Sequence, residues 1–171
     1  MQKSLLLVVD VQNGFMNEAT EHVLPVINKL IKTWQRKGWP IVCSRFVNIE
    51  GSNWETLRDW HRLKGEPDTA LAAGFQVDTP YIFKKSTYSA WDSDVLAVTS
   101  AHDVRDVVIA GIDTNECVLA TAIGVFDSGY TPWLVEDACA STGGAEVHAT
   151  AIGLLQALLG KQQIITSEEA A

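Results

Sequence analysis

The stretch VVIAGIDTNECVLATA, residues 107–122, contains the features that decide the fold of this chain. The apolar run at 107–110 predicts a buried strand, and Gly111 ends it. Small and polar residues follow, and a helical pattern begins over 115–128. A strand that leads directly into a helix is typical of α/β proteins, which place functional groups beyond the carboxyl ends of strands. Cys117 would lie there, in the first turn of the helix.

The position of Cys117 supports two interpretations. The first turn of a helix favours a thiolate, because its unpaired backbone N–H groups and the helix dipole stabilise negative charge. Free cysteine is also among the residue types most often buried, which makes Cys117 equally compatible with a small packed hydrophobe. The position alone leaves both interpretations open, so the rest of the chain has to separate them.

Composition limits the class of protein. The chain has 171 residues, 47% hydrophobic and 20% charged, so we expect one globular domain over residues 1–171. The formal net charge of −8 argues against nucleic acid or a membrane surface as partners, because both need basic patches. The sequence shows neither a secretory leader nor a run long enough to span a bilayer, so we expect a cytoplasmic protein.

The cysteines and glycines carry no cofactor motif. Cys43, Cys117 and Cys139 are odd in number and widely spaced, which favours reduced thiols. The sequence has no CxxC pair or Cys/His cluster typical of a zinc site. It also has neither GxGxxG after the first strand nor GxxxxGK[ST]. We therefore expect no metal and no other cofactor.

Short apolar runs alternate with helical patterns along the chain. Continuous apolar runs predict strands at 4–9, 41–46, 80–83, 106–110, 130–135 and 163–165. Apolar residues with a period of 3.6 predict helices at 22–37, 92–101, 115–128 and 144–159. The alternation indicates right-handed βαβ crossovers, and therefore an α/β fold with a mainly parallel sheet and helices on both faces.

Two segments depart from this alternation. Residues 47–79 form a less regular insertion, broken by glycines and a proline. A short amphipathic helix is predicted within this insertion, from the spacing of Trp54, Leu57, Trp60 and Leu63. The acidic end of the chain, residues 167–171, is predicted to be frayed.

Reactive side chains lie at or just beyond three predicted strands. Asp10 closes the first strand, Lys84 and Lys85 follow the third, and Cys117 follows the fourth. A thiol, a carboxylate and an amine brought together would form a nucleophile, a proton acceptor and a charge-stabilising group. The alternatives are that Asp10 caps a neighbouring loop and that either lysine is a solvated surface charge. None of the chain's histidines sits at a strand end, so a Cys–His pair has little support.

Four segments together resemble a known family. They are LLVVDVQNGF at 6–15, KSTYSAW at 85–91, AGIDTNECVLATA at 110–122 and VEDACAST at 135–142. In this order they resemble the isochorismatase-like cysteine hydrolases, a superfamily that includes nicotinamidases and N-carbamoylsarcosine amidases. The resemblance covers nearly the whole chain. It implies a three-layer α/β/α sandwich around a six-stranded, mostly parallel sheet, and an Asp–Lys–Cys triad that hydrolyses C–N bonds of small molecules.

The resemblance assigns roles residue by residue. Asp10 matches the aspartate of the D-x-Q segment, Lys85 the triad lysine, and Cys117 the nucleophile. It also implies a cis peptide at Ile112–Asp113, with the backbone N–H groups of Asp113 and Cys117 forming an oxyanion hole. The family commonly forms dimers or tetramers, so a homo-oligomer is expected.

The chain departs from the family at two places. Asp113 replaces an alanine that is common four residues before the cysteine, and its carboxylate would either face the thiol or bond away from it. Residues 44–48, SRFVN, lack the histidine with which nicotinamidases bind their metal, so neither that metal site nor nicotinamide is expected. True isochorismatases lack the cysteine, so its presence here favours acyl transfer over vinyl-ether hydrolysis.

Aromatic residues are the candidates for a substrate pocket. Phe15 and Trp91 are predicted to line it, because the resemblance places them beside triad members, and Trp54 lies in the insertion that would cover the site. Packing in the core remains an alternative for each. The alternative function is a non-hydrolytic one, as a thiol redox protein or a binding module, which an open cavity at Cys117 would argue against.

Overall fold

The computed structural model describes residues 2–171 and contains a six-stranded sheet with every neighbouring pair of strands parallel. The strands are β1 Ser4–Val9, β2 Ile41–Phe46, β3 Ile82–Lys85, β4 Asp106–Ile112, β5 Thr131–Ala140 and β6 Ile164–Ile165. Their order across the sheet is β3-β2-β1-β4-β5-β6, so the direction of progression reverses between β1 and β4. Ligands of such open sheets bind beyond the carboxyl ends of the strands at this reversal.

Helices cover both faces of the sheet. They are α1 Val23–Lys37, α2 Asn53–Thr56, α3 Ser93–Ala101, α4 Leu119–Asp127, α5 Ala145–Leu159 and α6 Ser167–Ala170. Short 3-10 helices occupy Asn13–Phe15 and Lys161–Gln163, and a π-helical turn at Thr114–Val118 leads into α4. No helix within residues 2–171 is long and apolar enough to cross a membrane.

Alternate residues of β1 pack into two separate hydrophobic cores, one on each face of the sheet. Leu5 and Leu7 pack on one face with the buried sides of α3, α4 and α5. Leu6 and Val8 pack on the other face with α1 and with Ala170 of α6. A strand buried on both faces has no polar side to present, which explains the continuous apolar run SLLLVV. The three-layer α/β/α sandwich that the resemblance implied is confirmed.

Glycine at position 111 allows β4 to approach β1 closely. Gly111 is paired with Val9 across the ladder and has a φ of 131°, a conformation that disfavours other residues. A Cβ atom built at this position would lie 2.1 Å from the Val9 carbonyl oxygen. The close approach holds the end of β1 beside the turn that carries Cys117.

Several predicted boundaries were wrong. The third strand was expected at 80–83 but runs over Ile82–Lys85, since its register with β2 begins at Cys43 and ends at Phe46. The fifth strand continues to Ala140 because an irregularity lets it pair with β4 again after residue 134. The insertion contains only the single helical turn of α2.

The end of the chain is ordered, contrary to the prediction of a frayed terminus. Thr166 and Glu169 form a reciprocal capping box for α6. Ala170 is fully buried, and Asp137 of β5 accepts hydrogen bonds from the backbone N–H and the hydroxyl of Ser167. These contacts fix an acidic segment whose composition alone indicates mobility.

Candidate active site

The carboxyl edge of the sheet brings together the three predicted reactive groups. Asp10 directly follows β1, Lys85 is the last residue of β3, and Cys117 lies in the π-helical turn after β4. Because β3, β2, β1 and β4 are neighbours, their ends open into one region. Lys85 is therefore the lysine at the site, whereas Lys84 is exposed on the preceding position of the strand.

Asp10 and Lys85 form a buried ion pair. The Nζ atom of Lys85 lies 2.7 Å from Oδ2 of Asp10, and the two side chains are 3% and 0% exposed. The other carboxylate oxygen, Oδ1, accepts a hydrogen bond of 2.7 Å from the Ser44 hydroxyl. Apart from the ion pair, Oδ2 has no hydrogen-bond partner within residues 2–171. It is therefore the carboxylate oxygen with capacity to accept a further proton.

Lys85 also contacts the sulfur. Its Nζ atom donates to the carbonyl oxygens of Thr87 at 2.8 Å and Tyr88 at 3.1 Å, and lies 3.4 Å from Sγ of Cys117. A buried ammonium group is costly unless it is paired and hydrogen-bonded, and these partners satisfy it. The lysine is held where it can stabilise negative charge on the sulfur.

Burial raises the pKa of the Cys117 thiol above its ordinary value. The Asp10 carboxylate raises this pKa further, while the Lys85 ammonium lowers it. The helical position alone favours a thiolate, whereas burial in the folded protein works in the opposite direction and favours the neutral thiol. Such a cysteine becomes a nucleophile when a base takes its proton.

A cavity of about 310 Å³ reaches Cys117. This volume is at the small end of the range typical of ligand pockets. Its lining residues come from the segment after β1, the last residue of β2, the insertion, and the turns after β4 and β5. They are Gly14, Phe15, Met16, Asn17, Phe46, Trp54, Arg58, Trp60, Arg62, Asp113, Glu116, Cys117 and Thr142.

Aromatic rings form one wall of this cavity. Phe15 and Trp60 are stacked, with ring centroids 6.3 Å apart, and Phe46 meets Trp54 edge-on at 4.8 Å. The indole N–H of Trp54 donates to the Ser86 carbonyl oxygen at 3.1 Å, which fixes the orientation of that ring. The wall is apolar, whereas the turn after β4 contributes the polar side chains of Asp113 and Glu116 to the same cavity.

Of the three aromatic residues predicted to line a pocket, Phe15 and Trp54 do so and Trp91 does not. Trp91 packs edge-on against Tyr130, with ring centroids 5.0 Å apart, and its indole N–H donates to the Ser128 hydroxyl at 2.9 Å. The indole therefore faces the end of α4, although its neighbour Ala90 is bound to Thr121 within the core.

Asp113 bonds away from the thiol. Its carboxylate accepts hydrogen bonds from the backbone N–H and, at 2.9 Å, from the hydroxyl of Thr142. Burial raises its pKa from 3.8 to about 6, although the two bonds from Thr142 oppose this shift. The peptide bond between Ile112 and Asp113 is cis. The Ile112 side chain itself is fully buried in the core.

Two contacts hold the insertion against the sheet. The Gln12 amide, in the D-x-Q segment, donates to the carbonyl oxygens of Phe46 and Thr69, each at 2.9 Å. Arg58 forms two hydrogen bonds of 2.9 and 2.8 Å to the Glu116 carboxylate and a third to the Tyr88 hydroxyl. Glu116 directly precedes Cys117, so the insertion is attached to the nucleophile's own turn.

Several residues of the site were not predicted from the sequence. These are Ser44, Phe46, Arg58, Arg62, Glu116 and Thr142. Most belong to irregular segments, where no periodicity predicts which side chains point inward. Within residues 2–171, no group of three or more His, Cys, Asp or Glu side chains could hold a metal ion.

Comparisons with known proteins agree with this architecture. A family model described as Isochorismatase domain matches residues 4–169. An uncharacterized isochorismatase family protein, YaaI of Bacillus subtilis, is 26% identical over 96% of this chain and 93% of its own. Nicotinamidase 3 of Arabidopsis thaliana is 29% identical over 84% of this chain and 75% of its own.

Solved structures share the fold at lower identity. N-carbamoylsarcosine amidase from Thermoplasma acidophilum superposes with a TM-score of 0.86 at 22% identity, covering 98% of each chain. An isochorismatase-like hydrolase from Alkaliphilus metalliredigens gives a TM-score of 0.85 at 21% identity, covering 98% of this chain and 96% of the other. Because the family model spans nearly the whole sequence, this chain belongs to the isochorismatase family of hydrolases.

Proposed function

We propose that this protein hydrolyses the C–N bond of a small amide through a thioester formed on Cys117. The observation that carries the proposal is the contact between three groups, of which Cys117 lines the cavity: Lys85 Nζ lies 2.7 Å from Asp10 Oδ2 and 3.4 Å from Cys117 Sγ. The similarity to a nicotinamidase and to an N-carbamoylsarcosine amidase supports an amide as the substrate.

In the first half of the reaction, the Cys117 sulfur attacks the amide carbonyl carbon while Oδ2 of Asp10 accepts the thiol proton. Lys85 stabilises the negative charge that develops on the sulfur. The backbone N–H groups of Asp113 and Cys117 are the proposed donors to the oxyanion, because both residues line the cavity. When the tetrahedral intermediate collapses, the C–N bond breaks and Asp10 gives its proton to the leaving amine.

In the second half, water hydrolyses the thioester. Asp10 is again a carboxylate and takes a proton from the attacking water, whose oxygen bonds to the acyl carbon. The carbon–sulfur bond then breaks, the acid product leaves, and the proton returns to the Cys117 sulfur. Each group ends as it began, so the cycle needs no oxidant, reductant or cofactor.

The alternative function, a thiol redox protein or a binding module, has less support. Cys117 is 4% exposed and its immediate charged neighbours are a carboxylate and an ammonium group. Cys43 and Cys139 are also buried, and all three cysteines are free rather than joined in a disulfide. A cavity that ends at a thiol beside a proton acceptor favours acyl transfer over thiol exchange.

The expected homo-oligomer stays a prediction. Large apolar side chains are exposed on α4 and α5, and a second copy of this chain would bury them most simply. They are Phe126, Val147, Leu154 and Leu158. The predicted small-molecule substrate and cytoplasmic location also remain proposals.

The test is a panel of small amides with ammonia release as the readout, run on the wild type and on Cys117→Ala. We expect Cys117→Ala to lose activity by about 10⁴-fold or more, as is typical when a covalent nucleophile is removed. Cys43→Ala is the matched control, because Cys43 is equally buried but packs on the opposite face of the sheet. Full activity in Cys117→Ala would overturn the proposal.

A further inference from the structure

Four lysine or arginine side chains lie in the insertion or bond to it, and three of them are paired with carboxylates. Arg45 pairs with Glu66, Arg58 with Glu116, and Lys64 with Glu55. The fourth is Arg62, for which no carboxylate lies within ion-pair distance among the residues the structure describes. Arg62 is also a cavity-lining residue, so the unpaired charge lies at the candidate active site.

Most hydrogen-bonding capacity of Arg62 is unused. A guanidinium group carries five N–H donors in a planar fork. In Arg62 one of them, on Nη2, donates to the Gly14 carbonyl oxygen at 2.8 Å. No other bond from this guanidinium group to residues 2–171 is formed. The single bond orients the group, and because Arg62 is an exposed residue, its remaining donors are accessible to a ligand.

The other charged side chains that line the cavity already have hydrogen-bond or ion-pair partners. Arg58 and Glu116 neutralise each other through two hydrogen bonds. The carboxylate of Asp113 is occupied by the backbone N–H and the hydroxyl of Thr142. Arg62 is therefore the cation of this cavity that an anionic ligand can bind without first breaking an ion pair.

We propose that Arg62 binds a carboxylate group of the substrate, so that the substrate class is small amides that also carry a carboxylate. A planar guanidinium matches a carboxylate in two parallel hydrogen bonds, which gives orientation as well as affinity. Arg62 and Cys117 line the same cavity of about 310 Å³, so a single small ligand in that cavity can contact both residues. This inference rests on the proposed amide hydrolysis.

The kinetic test compares succinamate, which carries a carboxylate, with butyramide, which does not, in the wild type, Arg62→Met and Arg62→Lys. We expect Arg62→Met to lower kcat/KM for succinamate at least 10-fold and to change that for butyramide less than threefold. Arg62→Lys should recover part of the loss. The matched control is Arg36→Met on α1, whose guanidinium donates hydrogen bonds to Lys32 and Thr33 of its own helix.

A binding test separates this inference from the proposed reaction. Succinate should slow the alkylation of Cys117 by iodoacetamide in the wild type and in Arg36→Met, and should not slow it in Arg62→Met, as followed by peptide mass spectrometry. Equal protection in all three proteins, or none in the wild type, would overturn the role of Arg62. Protection that depends on Arg62 without turnover of any amide would instead overturn the proposed reaction and leave the carboxylate site standing.

Discussion

The ion pair at the carboxyl edge of the sheet is buried, whereas the ion pair that joins Arg45 to the insertion of residues 47–79 is partly exposed. At the edge, Asp10 and Lys85 form an ion pair whose side chains are 0% and 3% exposed. In the insertion, Glu66 is 62% exposed where it meets Arg45, which itself is 20% exposed. A buried pair is costly to disrupt, whereas an exposed one contributes little. The comparison indicates that the sheet holds the reacting groups in a buried ion pair, whereas the charges around the insertion are partly solvated.

The largest expected effect is on the buried pair. Lys85→Met leaves the Asp10 carboxylate buried without its cation, so we expect the free energy of unfolding to fall by about 3–5 kcal/mol, with loss of activity. Glu66→Gln, which breaks the exposed pair, should cost less than about 1 kcal/mol. Urea denaturation of both variants measures the difference.

A double variant tests whether the loss comes from the unpaired charge. Asp10→Asn combined with Lys85→Met removes both charges, so it should be more stable than Lys85→Met alone. If the two single variants, Lys85→Met and Glu66→Gln, lost equal stability, the contrast between edge and insertion would be wrong.

A smaller effect is expected from the aromatic wall. Trp54→Leu removes an indole that lines the cavity, so the KM of a substrate should rise about 10-fold, as expected for loss of one apolar contact surface. Trp91→Leu should change KM less than threefold, because Trp91 packs on Tyr130 outside the cavity. Steady-state kinetics on both variants makes the comparison, and an equal rise in KM would show that the wall does not determine recognition.

The smallest expected effect is the pH dependence of stability from Asp113. Its pKa is raised to about 6, so the folded state binds the proton more tightly than the unfolded state. The resulting stabilisation is complete below the unfolded pKa and is lost as the pH rises through about 6. Relative to Asp113→Asn, the wild type should lose about 1 kcal/mol of stability between pH 5 and pH 7. Denaturation at both pH values measures it, and a pH-independent difference would contradict the raised pKa.

The sequence predicted best the strands whose residues are almost all apolar. The residues of β1 and β2 lie where their runs predicted, because a strand buried on both faces must be apolar throughout. The three reactive groups were found for a related reason. Strand ends in a parallel sheet meet at one edge, so polar residues that close apolar runs must come together there.

The predicted strand boundaries that were wrong depend on pairing with residues that are distant in the chain. Polar residues Glu136 and Asp137 interrupt the apolar pattern of β5, yet the strand continues because it pairs with β4 beyond the irregularity. Extending β5 brings Thr142 to Asp113, which decides that this carboxylate bonds away from the sulfur. The one-dimensional pattern contains no signal for either pairing.

By itself, the sequence determined the α/β fold and the edge at which the site lies, because these follow from local hydrophobic pattern and strand order. The choice of Lys85 over Lys84 came from the family resemblance. The tertiary structure alone decided the burial of Cys117, the direction of Asp113, the exclusion of Trp91 from the cavity and the free donors of Arg62. Each of these depends on burial or on contacts between irregular segments. Burial and long-range pairing are properties of the assembled chain, and the local sequence does not encode them at any single position.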